Sequence, residues 1–280
     1  MRDEDFKAVL DFFHLSWRGY RRVRKGVKRR IARHMSDLAC SSMGGYLDLL
    51  AGDPCRAREA ERLLSVSVSR FFRDRDLWET LEDEILPKFR GSGEPLRVWS
   101  AGCAMGQEAY SIAVIGTILE KRFRAFPAVE ILATDIDPSI LEKAVDGRFP
   151  ERVIRTIPER WRRSFFHLTE DGMTTTVDES LKEGITWRVH DLLRDPPPED
   201  LQHLVFLRNS LLTYGRPEKI GAAVRTVLQA IRPGGYLVIG RKELPGPFLE
   251  GLEIHERIPF LFRKTAFRRE RTLPETGASR

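Results

Sequence analysis

The sequence predicts a doubly wound α/β fold, a mostly parallel sheet of the Rossmann-like kind, behind an all-helical N-terminal domain. From Leu96 onward, short apolar runs alternate with segments of helical spacing, the pattern left by parallel strands joined through crossover helices. The first run, Leu96-Arg97-Val98-Trp99-Ser100-Ala101, breaks at Gly102 and Gly106 and resumes with helical spacing from Gln107, so it reads as strand, tight turn and helix. Before Leu96 the apolar residues recur at helical spacing. At 280 residues the chain is long for one small domain and short for two large ones, which fits one core with a smaller appendage. The expected division is a helical domain over 1–90, an α/β domain over 91–267 and a flexible tail over 268–280.

Residues 1–16 carry Phe6, Val9, Leu10, Phe12, Phe13 and Leu15, a short helix that must bury one face. The next nineteen residues, 17–35, contain no acid, while Val23, Val27, Ile31 and Met35 fall every four residues on one stripe. A single basic amphipathic helix is expected there, its cations running from Arg18 to Arg33. Its charged face is either a solvated surface or a docking surface for something acidic. Two more short helices, over 41–50 and 56–66, flank the breaker Ala51-Gly52-Asp53-Pro54. A helix over 77–89 leads to Gly91-Ser92-Gly93-Glu94-Pro95, which reads as a linker. After the strand at 96–101 come a helix through Leu119, an apolar run over 129–137, a helix opened by Pro138, and a polar region with room for short strands. Strands at 185–189 and 204–207, a helix over 217–231, a strand over 233–240 and a closing hairpin within 252–262 complete the pattern.

Hydrophobic residues make up 41% of the chain and charged residues 31%, the balance of a soluble globular protein. There is no run of 18 apolar residues, and Met1-Arg2-Asp3-Glu4-Asp5 lacks the form of an export signal, so a cytoplasmic protein is expected. Cys40, Cys55 and Cys103 stand too far apart for metal-ligand pairs; free thiols and no structural metal are expected. A net charge of +6 and a pI near 9.4 point to an acidic partner, which charge alone leaves open between nucleic acid, anionic membrane and acidic protein.

In a doubly wound sheet, ligands bind outside the carboxyl ends of the strands, near the switch in strand order. Gly102 and Gly106 let the backbone turn sharply and bring a ligand to the unpaired N–H groups of the helix start. A pyrophosphate-binding turn has a third glycine, absent here; Glu108 instead puts a carboxylate at the helix start, which repels phosphate and suits a cation. S-adenosylmethionine (SAM) carries an ammonium and a sulfonium. The plain alternative is an ordinary strand-to-helix turn with Glu108 as a favourable first-turn charge. Asp135 ends the second strand, where an acid meets a ribose, while Asp137 beside Pro138 fits a helix cap. Asp191 follows the third strand and either faces an adenine edge or caps the next turn.

With these residues the chain resembles the CheR-type chemotaxis receptor glutamate methyltransferases, over residues 15–265. Ser69-Arg70-Phe71-Phe72-Arg73-Asp74 resembles the family's Thr-x-Phe-Phe-Arg-Glu, and Ser100-Ala101-Gly102-Cys103-Ala104-Met105-Gly106-Gln107-Glu108-Ala109-Tyr110-Ser111 its Ser-Ala-Gly-Cys-Ser-Thr-Gly-Glu-Glu-Pro-Tyr-Ser. Ala133-Thr134-Asp135-Ile136-Asp137 is the family's pentapeptide, and Arg208-Asn209-Ser210-Leu211-Leu212 is similar to its Cys-Arg-Asn-Val-Leu-Ile-Tyr. The resemblance implies an N-terminal helical domain, a SAM-binding α/β domain with a small β insertion, and methyl transfer to receptor glutamates. It implies that Ser67, Ser69 and Arg73 line the mouth, Gly102 forms the cofactor turn, Glu108 takes the methionine amine and Asp135 the ribose. Asp191 and Leu192 would flank the adenine, and Arg208 and Asn209 would close the pocket, with Arg73 and Tyr214 as the catalytic residues. The basic helix from Arg18 to Arg33 resembles the family's receptor-docking helix, and the resemblance implies an acidic helical target.

Some positions depart from the family pattern. Thr213 stands five residues after Arg208, where the family has Tyr, with Tyr214 displaced by one. Gln107 and Ala109 replace Glu and Pro, and Gly240-Arg241-Lys242-Glu243 replaces Gly-His-Ser-Glu. The cofactor side is kept and the acceptor side altered. The implied reaction asks little of the protein, since a carboxylate with a pKa near ~4.3 is already ionised at neutral pH. Alignment supplies most of the acceleration, which makes Arg73, gripping the acceptor carboxylate, the main positioning residue. Two other classes stay open: a nucleic-acid methyltransferase, suggested by the pI although its Asn/Asp-Pro-Pro-Tyr and catalytic Cys motifs are absent, and a non-catalytic SAM-binding regulator, suggested by Thr213 and Arg241.

Overall fold

The structure, a computed structural model, describes residues 1–66, 69–155, 157–243, 248 and 251–265. Ser67 and the tail expected over 268–280 lie outside the described residues.

The helical domain holds α1 (Asp3–Phe12), α2 (Trp17–Tyr20), α3 (Arg24–Asp37), α4 (Met43–Gly52) and α5 (Pro54–Leu64). Its starts are capped locally: Ser42 accepts from the Gly45 N–H ahead of α4, and Asp53 from the Cys55 and Arg56 N–H groups ahead of α5, with Pro54 in the first turn. The first helix stops at Phe12 rather than running to residue 16, because the chain turns at His14 (φ +54°) and the Ser16 N–H donates to the Tyr214 carbonyl at 2.7 Å. The basic stretch is not one helix either. It breaks at residues 21–23, between α2 and α3. A Cβ on Gly19 would meet the Thr213 carbonyl oxygen at 2.3 Å, so α2 is pressed onto a distant backbone. The expected apolar stripe survives: Val27 and Ile31 are buried in the helical core with Phe6, Tyr46 and Leu50, and Val23 and Met35 pack against it.

The segment after α5 belongs to a different core. Helix α6 (Arg75–Thr80) continues through a π turn (Leu81–Ile85) into a 3-10 turn (Leu86–Phe89), where Pro87 ends regular helix bonding. Leu77, Trp78, Leu81 and Ile85 are buried with the sheet residues, and Trp78 stacks on Phe206 at 5.6 Å. The 77–89 helix, grouped by sequence with the N-terminal domain, therefore packs with the α/β part.

That part comprises β1 (Leu96–Ala101), α7 (Gln107–Arg122), β2 (Val129–Asp135), α8 (Pro138–Asp146), β3 (Arg148–Pro150), α9 (Glu151–Ile154), α10 (Glu159–Phe165), β4 (Phe166–Leu168) and β5 (Thr174–Val177). It continues with β6 (Ile185–Val189), β7 (Gln202–Leu207), α11 (Leu211–Tyr214), α12 (Pro217–Gln229), β8 (Ile231–Ile239), β9 (Leu252–Ile254) and β10 (Leu261–Lys264). The main sheet runs β6-β2-β1-β7-β8-β10-β9. It is parallel from β6 to β8, and the expected closing hairpin adds β10 antiparallel to β8. The polar region folds into an insertion with its own antiparallel sheet, β3-β5-β4. Asp137 caps α8 through the Ser139 N–H at 2.9 Å, as its place beside Pro138 predicted.

Candidate functional site

From β1 the chain proceeds to β2 and β6 on one side and later to β7 and β8 on the other, so the strand order switches between β1 and β7. Segments leaving the carboxyl ends of those two strands diverge and open a crevice. Gly102 leaves β1 and Arg208 leaves β7. The first turn needs its glycines. Gly102 and Gly106 have φ of +85° and +82°, and a Cβ on Gly106 would meet Trp187 Cη2 at 2.7 Å. Between them Ala104 is left-handed without being glycine (φ +51°), held by its N–H donating to Asp135 Oδ2 at 2.9 Å. Asp135 Oδ1 accepts from the Asp137 N–H at 3.1 Å. Asp135 is 7% exposed, and burial raises its pKa above the ordinary carboxylate value. Each of its oxygens keeps a lone pair for a ligand hydroxyl.

A cavity of about 580 Å³ opens over this turn, the size of a small-molecule site. Gly102, Asp135, Asp191, Leu192 and Asn209 line its α/β side; Phe13, Tyr20 and Leu64 of the helical domain line the other. A small annex of about 30 Å³ shares Gly102, Ala104 and Asn209 with it and is lined further by Ser69, Arg73, Glu108 and Arg208. Every described residue expected at the site, Tyr214 included, lines one of these two spaces.

Glu108, in the first turn of α7, is largely buried. Ser100 Oγ donates to its Oε1 at 2.7 Å and Arg208 Nη1 to its Oε2 at 3.3 Å. Burial raises its pKa, against the lowering effect of Arg208. Arg208, expected to close the pocket, is a brace: its side chain is 4% exposed and also donates to the Arg73 carbonyl at 3.2 Å and to the Asp74 carboxylate. Arg241 approaches Asp74 from the other side at 3.1 Å and pairs with Asp76. Between these ties stands Arg73. Its carbonyl also accepts from Trp78 Nε1 at 2.9 Å, whereas its guanidinium has no hydrogen bond or ion pair among the described residues. Burial, and then the neighbouring Arg208 charge, lowers its pKa.

For Asp191 the turn-capping alternative describes the contacts. It accepts from the Leu193 N–H at 2.9 Å and pairs with Arg194, which reaches across to Glu61 of α5 at 2.9 Å. Asn209 is left-handed (φ +54°). Thr213 turns its hydroxyl to Glu243, whose other oxygen accepts from the Gly240 N–H at 2.6 Å. Tyr214, not Thr213, therefore lines the cavity; its ring lies 4.8 Å from Tyr20, and burial pushes its phenol up to about 12. The hydroxyl therefore stays protonated at neutral pH.

These features fit SAM. Two carboxylates with raised pKa values adjoin the spaces, Glu108 held by the Ser100 hydroxyl and the Arg208 cation and Asp135 by the Ala104 and Asp137 N–H groups. Gly102 lines both spaces, and Ser210 Oγ, on the cavity wall, is buried with no hydrogen-bond partner among the described residues.

Residues 67–246 match the family model described as CheR methyltransferase, SAM binding domain. The chain belongs to the CheR methyltransferase family. Its SAM-binding domain begins where the two hydrophobic cores divide, just after α5. Similar to the chain are the chemotaxis protein methyltransferase of Listeria innocua, 34% identical over 78% of this chain and 80% of that protein, and the probable chemotaxis protein methyltransferase of Rhizobium etli, 31% identical over 78% and 83%. An uncharacterized 104.1 kDa protein of Rhodobacter capsulatus is 35% identical over 78% of this chain, which spans 23% of that protein's length. In this CheR-family chain the tie of Asp74 to Arg208 and Arg241, residues named from the motifs without that role, and the helical-domain wall at Tyr20 and Leu64 were missed by sequence reading, because no local pattern marks contacts made only in the tertiary structure.

Proposed function

We propose that the chain is a SAM-dependent protein methyltransferase that esterifies side-chain carboxylates of glutamates in a chemoreceptor or a related signalling protein. The observation that carries this reading is the guanidinium of Arg73, which lines the annex beside Glu108 and has no ion-pair partner among the described residues. Arginine forks onto a carboxylate with two parallel hydrogen bonds. When bound, SAM supplies a methyl carbon on a sulfonium, and transfer of that methyl leaves a neutral thioether and an ester.

Glu108 holds the ammonium end, Asp135 accepts from the ribose, and Leu192 packs beside the adenine. Arg73 orients one oxygen of the acceptor carboxylate toward the annex. No base is needed, because the acceptor arrives ionised; Tyr214, a neutral phenol, donates a hydrogen bond to the acceptor and removes no proton. Fixing the approach of oxygen to methyl carbon is the protein's main contribution. Docking falls to the helical domain, where Arg21, Arg22, Lys25 and Arg29 are exposed around the start of α3, while Lys28 is tied to Asp3 and Arg30 to the Leu63 and Ser65 carbonyls. An acidic helical surface matches these free cations.

Incubation with methyl-tritiated SAM and, side by side, a purified chemoreceptor cytoplasmic fragment, DNA and RNA tests the reading. Base-labile label on the receptor fragment is expected. Label in nucleic acid, or no label in any of the three, overturns it.

A further inference from the structure

Arg73 is presented on a segment that has no regular structure and is nonetheless heavily constrained. The residues on either side of it, Phe72 (φ +47°) and Asp74 (φ +62°), are both left-handed without being glycine. Such backbone persists only where surrounding contacts over-determine it. On the Asp74 side the contacts are the Arg208 and Arg241 ion pairs. On the Phe72 side they are aromatic. The Phe72 N–H donates to Ser111 Oγ at 3.1 Å, and its ring packs 5.5 Å from Trp78 and 4.8 Å from Trp161. Trp78 and Ser111 belong to the main domain, while Trp161 belongs to α10 of the insertion. The preceding residue, Phe71, is also gripped by the insertion, with its ring 4.9 Å from Phe149 and 5.2 Å from Phe166.

We infer that Trp161 is a positioning residue: by holding Phe72 in its left-handed conformation, it sets where the Arg73 guanidinium stands at the mouth of the site. Trp161 is half-buried, lies under the Arg160 guanidinium at 4.8 Å, and lines neither the cavity nor the annex. It acts only through the Phe72–Arg73 step. Without its ring, Phe72 keeps Trp78 but loses its aromatic contact with the insertion and relaxes toward ordinary φ, which turns the Arg73 side chain away from the annex. The segment's other ties keep the cofactor turn in place, so the loss falls on acceptor alignment and not on cofactor binding.

The inference rests on the proposed grip of Arg73 on an acceptor carboxylate, and the experiment separates the two. Full-length wild type, Trp161→Ala and Trp161→Phe are compared in three measurements. Amide hydrogen exchange over residues 70–76 is expected to quicken at least tenfold in Trp161→Ala and to return toward wild type in Trp161→Phe, with residues 98–115 unchanged in both. Binding of S-adenosylhomocysteine (SAH) stays within twofold. Methyl transfer to the chemoreceptor fragment drops about tenfold in kcat for Trp161→Ala, with recovery in Trp161→Phe. Unchanged exchange over 70–76 overturns the inference whatever the transfer rate. Equal loss in Trp161→Phe, or loss of SAH binding with the rate, reduces Trp161 to a packing role and overturns it too. A wild type that methylates nothing in the fragment fails the functional reading and leaves the exchange result to judge Trp161.

Discussion

Replacing Arg73 by lysine should separate catalysis from stability, and with opposite signs. A surface arginine that bridges two domains holds them through ion pairs, and its loss lowers the melting temperature. Arg73 has no such pair among the described residues: the segment is fixed instead through the Arg73 carbonyl, on Trp78 and Arg208, and through Asp74. Those bonds involve the backbone or neighbouring side chains and survive the substitution. The guanidinium itself is partly buried next to the Arg208 charge, both of which disfavour a cation there. Its replacement should therefore change stability by no more than about 0.5 kcal/mol, the range of substitutions that break no specific contact, and Arg73→Ala should raise it if anything. Catalysis moves the other way. Lysine keeps the charge and loses the fork, so transfer should slow by roughly a hundredfold, about 2.7 kcal/mol of transition-state alignment. SAH affinity should stay within a fewfold. The assay is single-turnover transfer to the chemoreceptor fragment, calorimetric SAH titration and a melting curve on one preparation. A rate within threefold of wild type, or a melting temperature that falls by several degrees with the rate intact, would refute the reasoning.

Asp135→Ala removes an acceptor of two ligand hydroxyls and also the anchor of the left-handed Ala104, so SAH should bind about 10- to 150-fold more weakly, equivalent to ~1.5–3 kcal/mol; unchanged calorimetric affinity counts against the ribose role. Changing Arg22, Lys25 and Arg29 together to Glu should leave SAH affinity alone and sharply reduce methylation of an acidic helical target, while the wild-type rate falls as salt rises from about 0.05 to 0.5 M; a salt-insensitive rate means the face is only solvated. Acidity should move binding and stability in opposite directions. Glu108 and Asp135 both have raised pKa values, chiefly through burial. Their ionised forms hold the ligand, so SAH affinity weakens as pH falls through those raised values. The folded ligand-free chain binds the same protons more tightly than the unfolded chain, so their stabilising contribution is present at low pH and is lost as pH rises through the same window. Titrations and melting curves between about pH 4 and 8 that moved in parallel would contradict this linkage.

Much of the site was legible because its parts are local. The glycines at 102 and 106, the carboxylate in the first turn of α7, the acid ending β2 and the Asp137 cap all follow from neighbours a few residues away, and alternating apolar runs set the sheet's order of elements. Backbone sterics and capping hydrogen bonds act over that range, so the residue types alone specify them. The basic stretch looked like one helix because its apolar stripe repeats every four residues, yet contact between Gly19 and a carbonyl nearly two hundred positions away breaks it. The same holds for the place of the 77–89 helix in the sheet's core, for Arg208 as a brace, and for the Phe72–Trp161 contact. Whether a cation near the site is paired or free was decided the same way. Arg73 and Arg208 are equally basic in sequence; packing commits Arg208 to Glu108 and Asp74 and leaves the Arg73 guanidinium unpaired among the described residues, because which charges meet depends on where separate elements cross in space.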